Sequence, residues 1–339
     1  MMLIVAHHCM LHGFSAYQFQ TNDIISCINK FIIYFLSMGG KLGVNIFILI
    51  TGYFMCKSRY KFSKAIKLYL TTFIYSALFL IPVYIQNNFA LPSPVVKGAL
   101  MPITYNVYRF ISAYLGLYIL IPFLNKFIIS KKRQILNCTV IILYIACFIM
   151  GKSTDNNLFR IEHILWFIFM YCLGAIIRLE DFHNIFKNRT LINMLSAITF
   201  ICTIFYIMII SLNSNFDLRF MTPFIKINSL TMIIFALFFF HFFKNTGIKE
   251  NKIINYMSSS VLGVYLFHDN PIFTRHFLWS NLFNITNFAH SRYFGFYVIF
   301  CIATTFILGI IIDKITTKIF QKPINYICSK IDLFMEKRY

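Results

Sequence analysis

The sequence predicts an all-α polytopic membrane protein with about ten transmembrane helices and both termini in the cytoplasm. Three observations predict this fold class. Of the 339 residues, 59% are hydrophobic and only 12% are charged, which is too apolar a composition for a soluble domain. Apolar runs of membrane-spanning length recur along the chain. The basic residues lie in short clusters between those runs.

The apolar runs define the predicted spans in order. A helix needs about 20 apolar residues to cross the hydrocarbon core, and the first run is shorter than that. Pro271 predicts a break within the ninth helix, since proline disrupts helical hydrogen bonding. We expect one membrane domain, residues 1–313, followed by a cytoplasmic amphipathic basic tail, residues 314–339. The predicted spans are 1–17, 31–55, 68–86, 109–129, 135–150, 163–179, 191–212, 226–243, 259–279 and 293–313.

The distribution of lysine and arginine predicts the orientation of these spans. Cytoplasmic loops of membrane proteins are enriched in these residues. With the N-terminus inside, each inner connection carries at least three of them and the tail carries more. The net charge of +20 therefore reflects membrane topology, and we expect no nucleic-acid partner because no basic face with interleaved stacking aromatics exists. The predicted location is the cytoplasmic (inner) membrane.

The nine cysteines are scattered, without a C-x-x-C pair, and most fall within apolar runs. They are typical of small hydrophobic side chains, and they indicate neither a disulfide framework nor a metal site. A zinc site is not expected at the histidines near the N-terminus, because no carboxylate partner lies on the same helix face. We predict no metal and no bound cofactor.

Three histidines in the opening stretch MMLIVAHHCMLHG raise the question of what imidazoles do in a membrane helix. Ionisable groups at membrane depth are costly and are functional candidates by default. His7 and His8 point about 100° apart, so only one of them faces a given cavity squarely. Two interpretations compete: both are packed core histidines, or one is a catalytic base that its neighbour orients.

Two further polar clusters lie at membrane spans. Glu162 stands between Arg160 and His163 at the entry of the sixth span, where an interfacial ion pair that caps the helix is as good an interpretation as a site. The second cluster surrounds the expected break at Pro271, where freed backbone carbonyls need polar surroundings. Its members are hard to explain as lipid-facing, and they favour a site. They are His268, Asp269, Asn270, Arg275 and His276.

Arg109 stands with tyrosines at the mouth of the fourth span. The group is typical of the aromatic belt at a membrane interface, and a binding role for Arg109 is the alternative.

Several stretches, taken together, resemble the membrane acyltransferase-3 family, in particular the branch that O-acetylates surface polysaccharides. They occur in the family's order across most of the chain. The stretches are LIVAHH (3–8), GVNIFILITGYF (43–54), RFISAYLGLYILIPFLNK (109–126), ILWFIFMYCLGAIIRL (164–179) and SSSVLGVYLFHDNP (258–271).

The chain departs from the family pattern at four places. The family's first helix has an arginine, ten residues and then the histidine thought to be catalytic, and counting back from His8 that arginine would precede Met1. We therefore expect that the true start lies upstream, with an internal methionine read as the initiator. Asn45 and Thr51 stand where Asp and Ser are common, and Arg109 stands where Trp is common.

The resemblance implies acyl transfer from acetyl-CoA to a hydroxyl of a cell-surface or lipid-linked glycan. We hypothesise that His8 is the general base or forms a transient acyl-imidazole, with His7 and His268 as further catalytic candidates and Glu162 or Asp269 to orient and charge-stabilise an imidazole. The candidate contacts to the oxyanion or the acceptor are Asn45, Thr51, Asn270 and Arg275. For Lys57, Arg59 and Lys61 the alternative is that they are simple positive-inside residues. The candidate contacts to the donor are Lys57, Arg59, Lys61 and Arg109.

Two functions from other classes compete with this hypothesis. One is an ion-coupled transporter that uses histidine and aspartate as a proton relay. The other is a non-catalytic polysaccharide export protein. The two halves of the chain share no motifs, which counts against the repeats that many transporters contain. Labelled acetate that appears on a glycan would distinguish the enzyme from both.

Overall fold

The computed structural model describes residues 1–336, except 20, 87, 89, 131–132, 151–160, 180–188, 214, 222–225 and 248; the side chains of 133–134, 150, 161–162, 189, 192 and 336 are also outside the description. The described residues form helices joined by turns, with no strand among them. The all-α prediction is confirmed for this part of the chain.

We number the longer helices α1 to α14 in chain order. Short helical turns lie at Leu218–Met221, Thr274–His276, Phe277–Leu282 and Ile285–Phe288. The numbered helices are α1 (Met2–Phe14), α2 (Ile24–Ser37), α3 (Gly39–Met55), α4 (Phe62–Leu78), α5 (Leu80–Gln86), α6 (Ser93–Leu100), α7 (Arg109–Ser130), α8 (Arg133–Met150), α9 (Ile161–Leu179), α10 (Arg189–Ser211), α11 (Leu230–Asn245), α12 (Lys252–Ser258), α13 (Val261–His268) and α14 (Phe294–Glu336).

Five helical stretches in the described residues are long and apolar enough to cross a membrane, and α1, α8, α9 and α11 contain shorter apolar helices. This finding supports a membrane protein, whereas the number of ten spans and the cytoplasmic termini stay predictions. The five stretches are Ile24–Met55, Phe62–Gln86, Arg109–Ser130, Asn193–Ser211 and Phe294–Met335.

The expected break in the ninth apolar run is confirmed. Helix α13 ends at His268, and helical structure resumes only at Thr274. Pro271 lies between them, where a proline ring cannot continue a helix without losing a backbone hydrogen bond. The break leaves His268 and Asn270 beside non-helical backbone, both of them fully buried.

The chain divides into two compact units. Unit 1 comprises Met1–Phe47, Phe182–His268 and Arg275–Ile310. Within it, α2 packs against α1 and α10, and α10 packs against α11. Caps define where these helices begin. The carboxylate of Asp23 accepts from the backbone N–H of Ser26, 3.2 Å away, and the hydroxyl of Ser229 starts α11 by accepting from Met232 N–H at 3.3 Å, which satisfies N–H groups that have no partner within the helix.

Unit 2 comprises Ile48–Asp181, Asp269–Thr274 and Ile311–Tyr339. Within it, α9 packs against α7 and α8, and its backbone meets the helix that carries Gly52. A Cβ atom on Gly52 would lie 2.1 Å from the carbonyl oxygen of Tyr171, and one on Gly174 would lie 2.1 Å from that of Leu49. These glycines let the two backbones touch, as small residues do at helix contacts in membranes.

Helix α14 is 43 residues long. It begins in the last predicted span and continues through Pro323 into the segment predicted as a basic tail. At a rise of 1.5 Å per residue it is about 64 Å long, roughly twice the thickness of the hydrocarbon core.

Candidate active site

Helix α1 positions the N-terminal histidines. His8 and His12 are four residues apart, a spacing that puts them on one face of a helix, and their ring centroids are 5.3 Å apart. The pair has the H-x-x-x-H spacing of metal ligands, which the prediction from the sequence did not take into account, so the absence of a metal stays a prediction. His7 is buried and His8 is partly buried. The helix has no polar cap side chain, so packing against α2 rather than local capping holds it in place.

His8 meets the end of α13. Its Nδ1 lies 2.9 Å from Nε2 of His268, and the two ring centroids are 5.1 Å apart. His268 is fully buried, and its Nδ1 lies 2.6 Å from the carbonyl oxygen of Val264 one helical turn earlier. Two histidines separated by 260 positions in the sequence therefore form one hydrogen-bonded chain that ends on the backbone of α13.

This chain fixes the tautomers of both rings when they are neutral. A carbonyl oxygen only accepts hydrogen bonds, so Nδ1 of His268 donates to Val264, and the lone pair of His268 is on Nε2. Nδ1 of His8 then donates to that Nε2. The lone pair of His8 is consequently on its own Nε2, the nitrogen that can take a proton from a substrate.

His7 occupies a different environment from His8. Its Nδ1 is hydrogen-bonded to the carbonyl oxygen of Ser37 at the end of α2. A Cβ atom on Gly40 would lie 2.4 Å from the His7 ring, so the ring fills the space that this glycine leaves. These contacts give His7 the surroundings of a packed core histidine that ties α1 to the junction of α2 and α3.

The helix break is organised by Asn270 in unit 2. Its Oδ1 accepts from the backbone N–H groups of Ile272 and Phe273, each at 3.0 Å, and its Nδ2 donates to the Tyr108 hydroxyl at 2.7 Å. The side chain thus replaces the backbone partners that the break removes. Asp269, the preceding residue, is also buried. Asn270 was predicted as an oxyanion contact, and these bonds give it a part in holding the turn.

The remaining predicted contacts to the oxyanion or acceptor are spread over both units. Asn45 in unit 1 is fully buried, and its Nδ2 donates to the carbonyl oxygen of Ile227 at 2.9 Å. Thr51 in unit 2 shares a hydrogen bond with the phenol of Tyr114. Arg275 lies partly buried in the turn at the start of the last segment of unit 1.

The predicted donor-binding cations are solvent-exposed and lie in unit 2. Lys57, Arg59 and Lys61 all fall within the connection between α3 and α4. Arg109 is exposed at the start of α7. The predicted residue Glu162 and its neighbour Arg160 lie outside the described side chains.

The structure adds residues that the sequence did not single out in unit 2. Nη1 of Arg178 donates to the Tyr53 hydroxyl at 2.8 Å, and the guanidinium carbon lies 4.8 Å from the centre of that ring. The Tyr118 hydroxyl donates to the carbonyl oxygen of Lys61 at 3.0 Å, and its ring lies beside Tyr60. Burial raises the pKa of the Tyr60 phenol. An aromatic and basic group at the end of α3 was not predictable, because Arg178 and Tyr53 are far apart in the sequence.

The family profile described as an acyltransferase domain, that of the acyltransferase-3 family, matches residues 1–313. No curated protein and no solved structure matches the chain. The matched region contains every candidate site residue named above, including the His8–His268 chain. The sequence therefore belongs to the acyltransferase-3 family and is a membrane acyltransferase.

Proposed function

We propose that this protein is a membrane O-acetyltransferase that moves an acetyl group from acetyl-CoA to a hydroxyl of a cell-surface or lipid-linked glycan. The observation that carries the proposal is the chain from His8 through His268 to the Val264 carbonyl. Acyl transfer to a hydroxyl needs a base with a lone pair held in a fixed direction, and that chain leaves one on Nε2 of His8.

In the proposed reaction, Nε2 of His8 takes the hydroxyl proton while the sugar oxygen attacks the thioester carbonyl. The protonated ring donates from Nδ1 to Nε2 of His268, and this hydrogen bond stabilises the positive charge, as the bond to the aspartate carboxylate does in the Ser-His-Asp triad. When the tetrahedral intermediate collapses, the C–S bond breaks and the thiolate takes the proton from His8. The products are the acetylated glycan and free CoA, and His8 returns to its starting state.

The developing oxyanion needs hydrogen-bond donors that are positioned in advance. Among the predicted contacts, the amides of Asn45 and Asn270 are engaged with backbone and tyrosine partners. Arg275, which belongs to the same unit as His8, is the strongest of the predicted candidates because a guanidinium donates several hydrogen bonds and keeps its charge.

The donor nucleotide is proposed to bind at the connection between α3 and α4. Lys57, Arg59 and Lys61 supply exposed positive charge for phosphates. Tyr60, which is partly exposed and packs against the buried Tyr118 ring, offers one aromatic face that suits stacking of a purine base. We propose that this connection is cytoplasmic, in the inner membrane, with both termini on the same side.

The test is transfer of labelled acetate. Membranes that contain the protein, extended to any in-frame upstream start, receive acetyl-CoA labelled in the acetyl group, and label on the glycan is measured. We expect His8→Ala to lower the rate about 100- to 10,000-fold, the usual contribution of a general base. The variant His290→Ala, at an exposed histidine outside every candidate cluster, serves as the control and should retain activity.

Two results would contradict the proposal. A His8→Ala protein that acetylates the glycan at the normal rate removes the proposed base. Solute flux without covalent transfer would support the transporter hypothesis, which the family match to an acyltransferase domain disfavours.

A further inference from the structure

Unit 1 contains an apolar cavity of about 630 Å³. Helices α10 and α11 form one part of its wall, and the end of α2, the start of α3 and Leu3 of α1 form the rest. All of these helices contribute apolar segments of candidate or shorter membrane helices. Phenylalanines dominate the wall, namely Phe35, Phe200, Phe235, Phe238, Phe239 and Phe242.

One polar residue in this wall is unusual. Ser196 is only 5% exposed, lines the cavity, and its hydroxyl has no hydrogen-bond partner among the described residues. Serine in a helix commonly donates to the carbonyl four residues earlier, as Ser211 of the same helix does to Ile207 at 2.6 Å. A buried hydroxyl without a partner costs free energy, which a ligand with an acceptor would recover.

The register of α10 and α11 orders the chemistry along the cavity. The rings of Phe200 and Phe235 are in contact, with centroids 6.5 Å apart. If consecutive apolar helices α10 and α11 are taken as antiparallel, they advance equally in opposite directions, which places Ser196 level with Phe239. Asn193, a second polar wall residue, lies one turn nearer the end of α11, where Lys244 is exposed. Along the cavity, the exposed cation of Lys244 is therefore followed by the polar side chains of Asn193 and Ser196, and then by the apolar wall at Phe200 and Phe235.

This order matches a glycerophospholipid, and we propose that the cavity binds one acyl chain of an anionic, ester-linked phospholipid. The ester carbonyl accepts a hydrogen bond from Ser196, the phosphate lies near Lys244, and the chain extends from the ester past Phe200 and Phe235. A polyprenyl phosphate has hydrocarbon directly after the phosphate and no carbonyl at that depth. It would leave the Ser196 hydroxyl without an acceptor, so the serine favours the ester lipid.

Such a lipid would contact α1, the helix that carries the histidines. Leu3 and Gly39 both line the cavity, and a Cβ atom on Gly39 would lie 2.6 Å from the carbonyl oxygen of Leu3. Leu3 is four residues before His7, or one helical turn. The lipid would thus contact the place where α1 and α3 touch. The lipid proposal does not depend on the acyl-transfer proposal.

The experiment uses the full chain in phosphatidylcholine vesicles that contain a small fraction of phosphatidylglycerol with a photoreactive diazirine in one acyl chain. After irradiation, labelled peptides are identified by mass spectrometry. We expect labels on α10 and α11. Unlabelled ester-linked phosphatidylglycerol should compete about three- to tenfold better than its diether analogue, the range that one hydrogen bond supplies. Polyprenyl phosphate should compete no better than the diether.

Two matched variants separate the proposal from general lipid contact. Ser196→Ala should remove the difference between ester and diether competitors, whereas Ser211→Ala, whose hydroxyl bonds to its own helix, should retain it. Lys244→Gln should weaken competition by phosphatidylglycerol relative to phosphatidylcholine, and thermal unfolding confirms that each variant is folded. Labels outside the cavity, equal competition in the wild type, a preference that survives in Ser196→Ala, or stronger competition by polyprenyl phosphate would each overturn the proposal.

Discussion

His268 donates from Nδ1 to the carbonyl oxygen of Val264 at 2.6 Å, and this bond determines which nitrogen of His268 faces His8. Both partners of this bond belong to α13, and the helix break follows directly after His268. The orientation of His8 in α1 is therefore set by a helix that lies much later in the sequence.

The first prediction tests His268 as a positioning residue. His268→Leu removes the acceptor for Nδ1 of His8, and we expect acetyl transfer to fall about 10- to 100-fold, within the range of second partners in catalytic hydrogen-bond chains. His268→Gln retains an amide oxygen that can accept the bond, so it should recover part of the rate. The measurement is kcat and KM for acetyl-CoA at saturating acceptor.

The contrast between these two variants is the control. A merely structural role would make the variants equal in rate once corrected for the folded fraction, and KM would change as much as kcat.

The second prediction distinguishes His7 from His8. His7→Leu leaves the buried carbonyl of Ser37 without its histidine partner, and an unsatisfied buried group costs about 1–3 kcal/mol. We expect a lower unfolding temperature in detergent, with the rate per folded molecule within about tenfold of wild type. A His7→Leu protein that is stable but as inactive as His8→Ala would show that the roles are exchanged.

The third prediction concerns the backbone contact at Gly52 and Gly174. Alanine at either position places a methyl group where a carbonyl oxygen of the other helix stands, so the helices must separate. Overpacking typically costs about 1–3 kcal/mol, and we expect each variant to unfold at a lower temperature. The double variant should lose less than the sum, because both substitutions separate the same pair of helices.

Gly247→Ala is the matched control for this pair, since nothing lies within 4 Å of its added methyl group. Equal unfolding temperatures for the three single variants would contradict the packing argument.

The fourth prediction concerns pH at Asp217, which lies between α10 and α11. Hydrogen bonds from the Arg219 side chain and backbone lower the pKa of the Asp217 carboxyl. A lowered pKa in the folded state means that the stabilisation is present above the ordinary pKa of aspartate and is lost as the pH falls through the lowered value. We expect the amide of Arg219, which donates to Asp217 at 2.8 Å, to lose protection from hydrogen exchange in acid.

Asp217→Asn provides the comparison at each pH, since an amide does not titrate in this range. Its protection at Arg219, corrected for intrinsic exchange, should be independent of pH. The same acid dependence in both proteins would exclude the carboxylate as the cause.

The sequence predicted those features that local chemistry determines. The helix break at Pro271 followed from the proline ring, and the interest of His8 followed from the cost of an imidazole in an apolar helix. The pairing of His8 with His268 was not predictable, because nothing local joins positions that are 260 residues apart. For the same reason, the sequence could not tell that Asn45 donates to the Ile227 carbonyl or that Asn270 donates to the Tyr108 hydroxyl.

The helix α14 has one further consequence. Its length of about 64 Å exceeds the thickness of a whole bilayer with its headgroups, about 40–45 Å. If its first half spans the membrane, the same helix passes from hydrocarbon into water. We expect the amides of its first half, which is the predicted span, to be shielded from water and to exchange their hydrogens slowly, whereas amides of its lysine-bearing second half exchange faster. The distal turns of this one helix should therefore open more readily than its proximal turns.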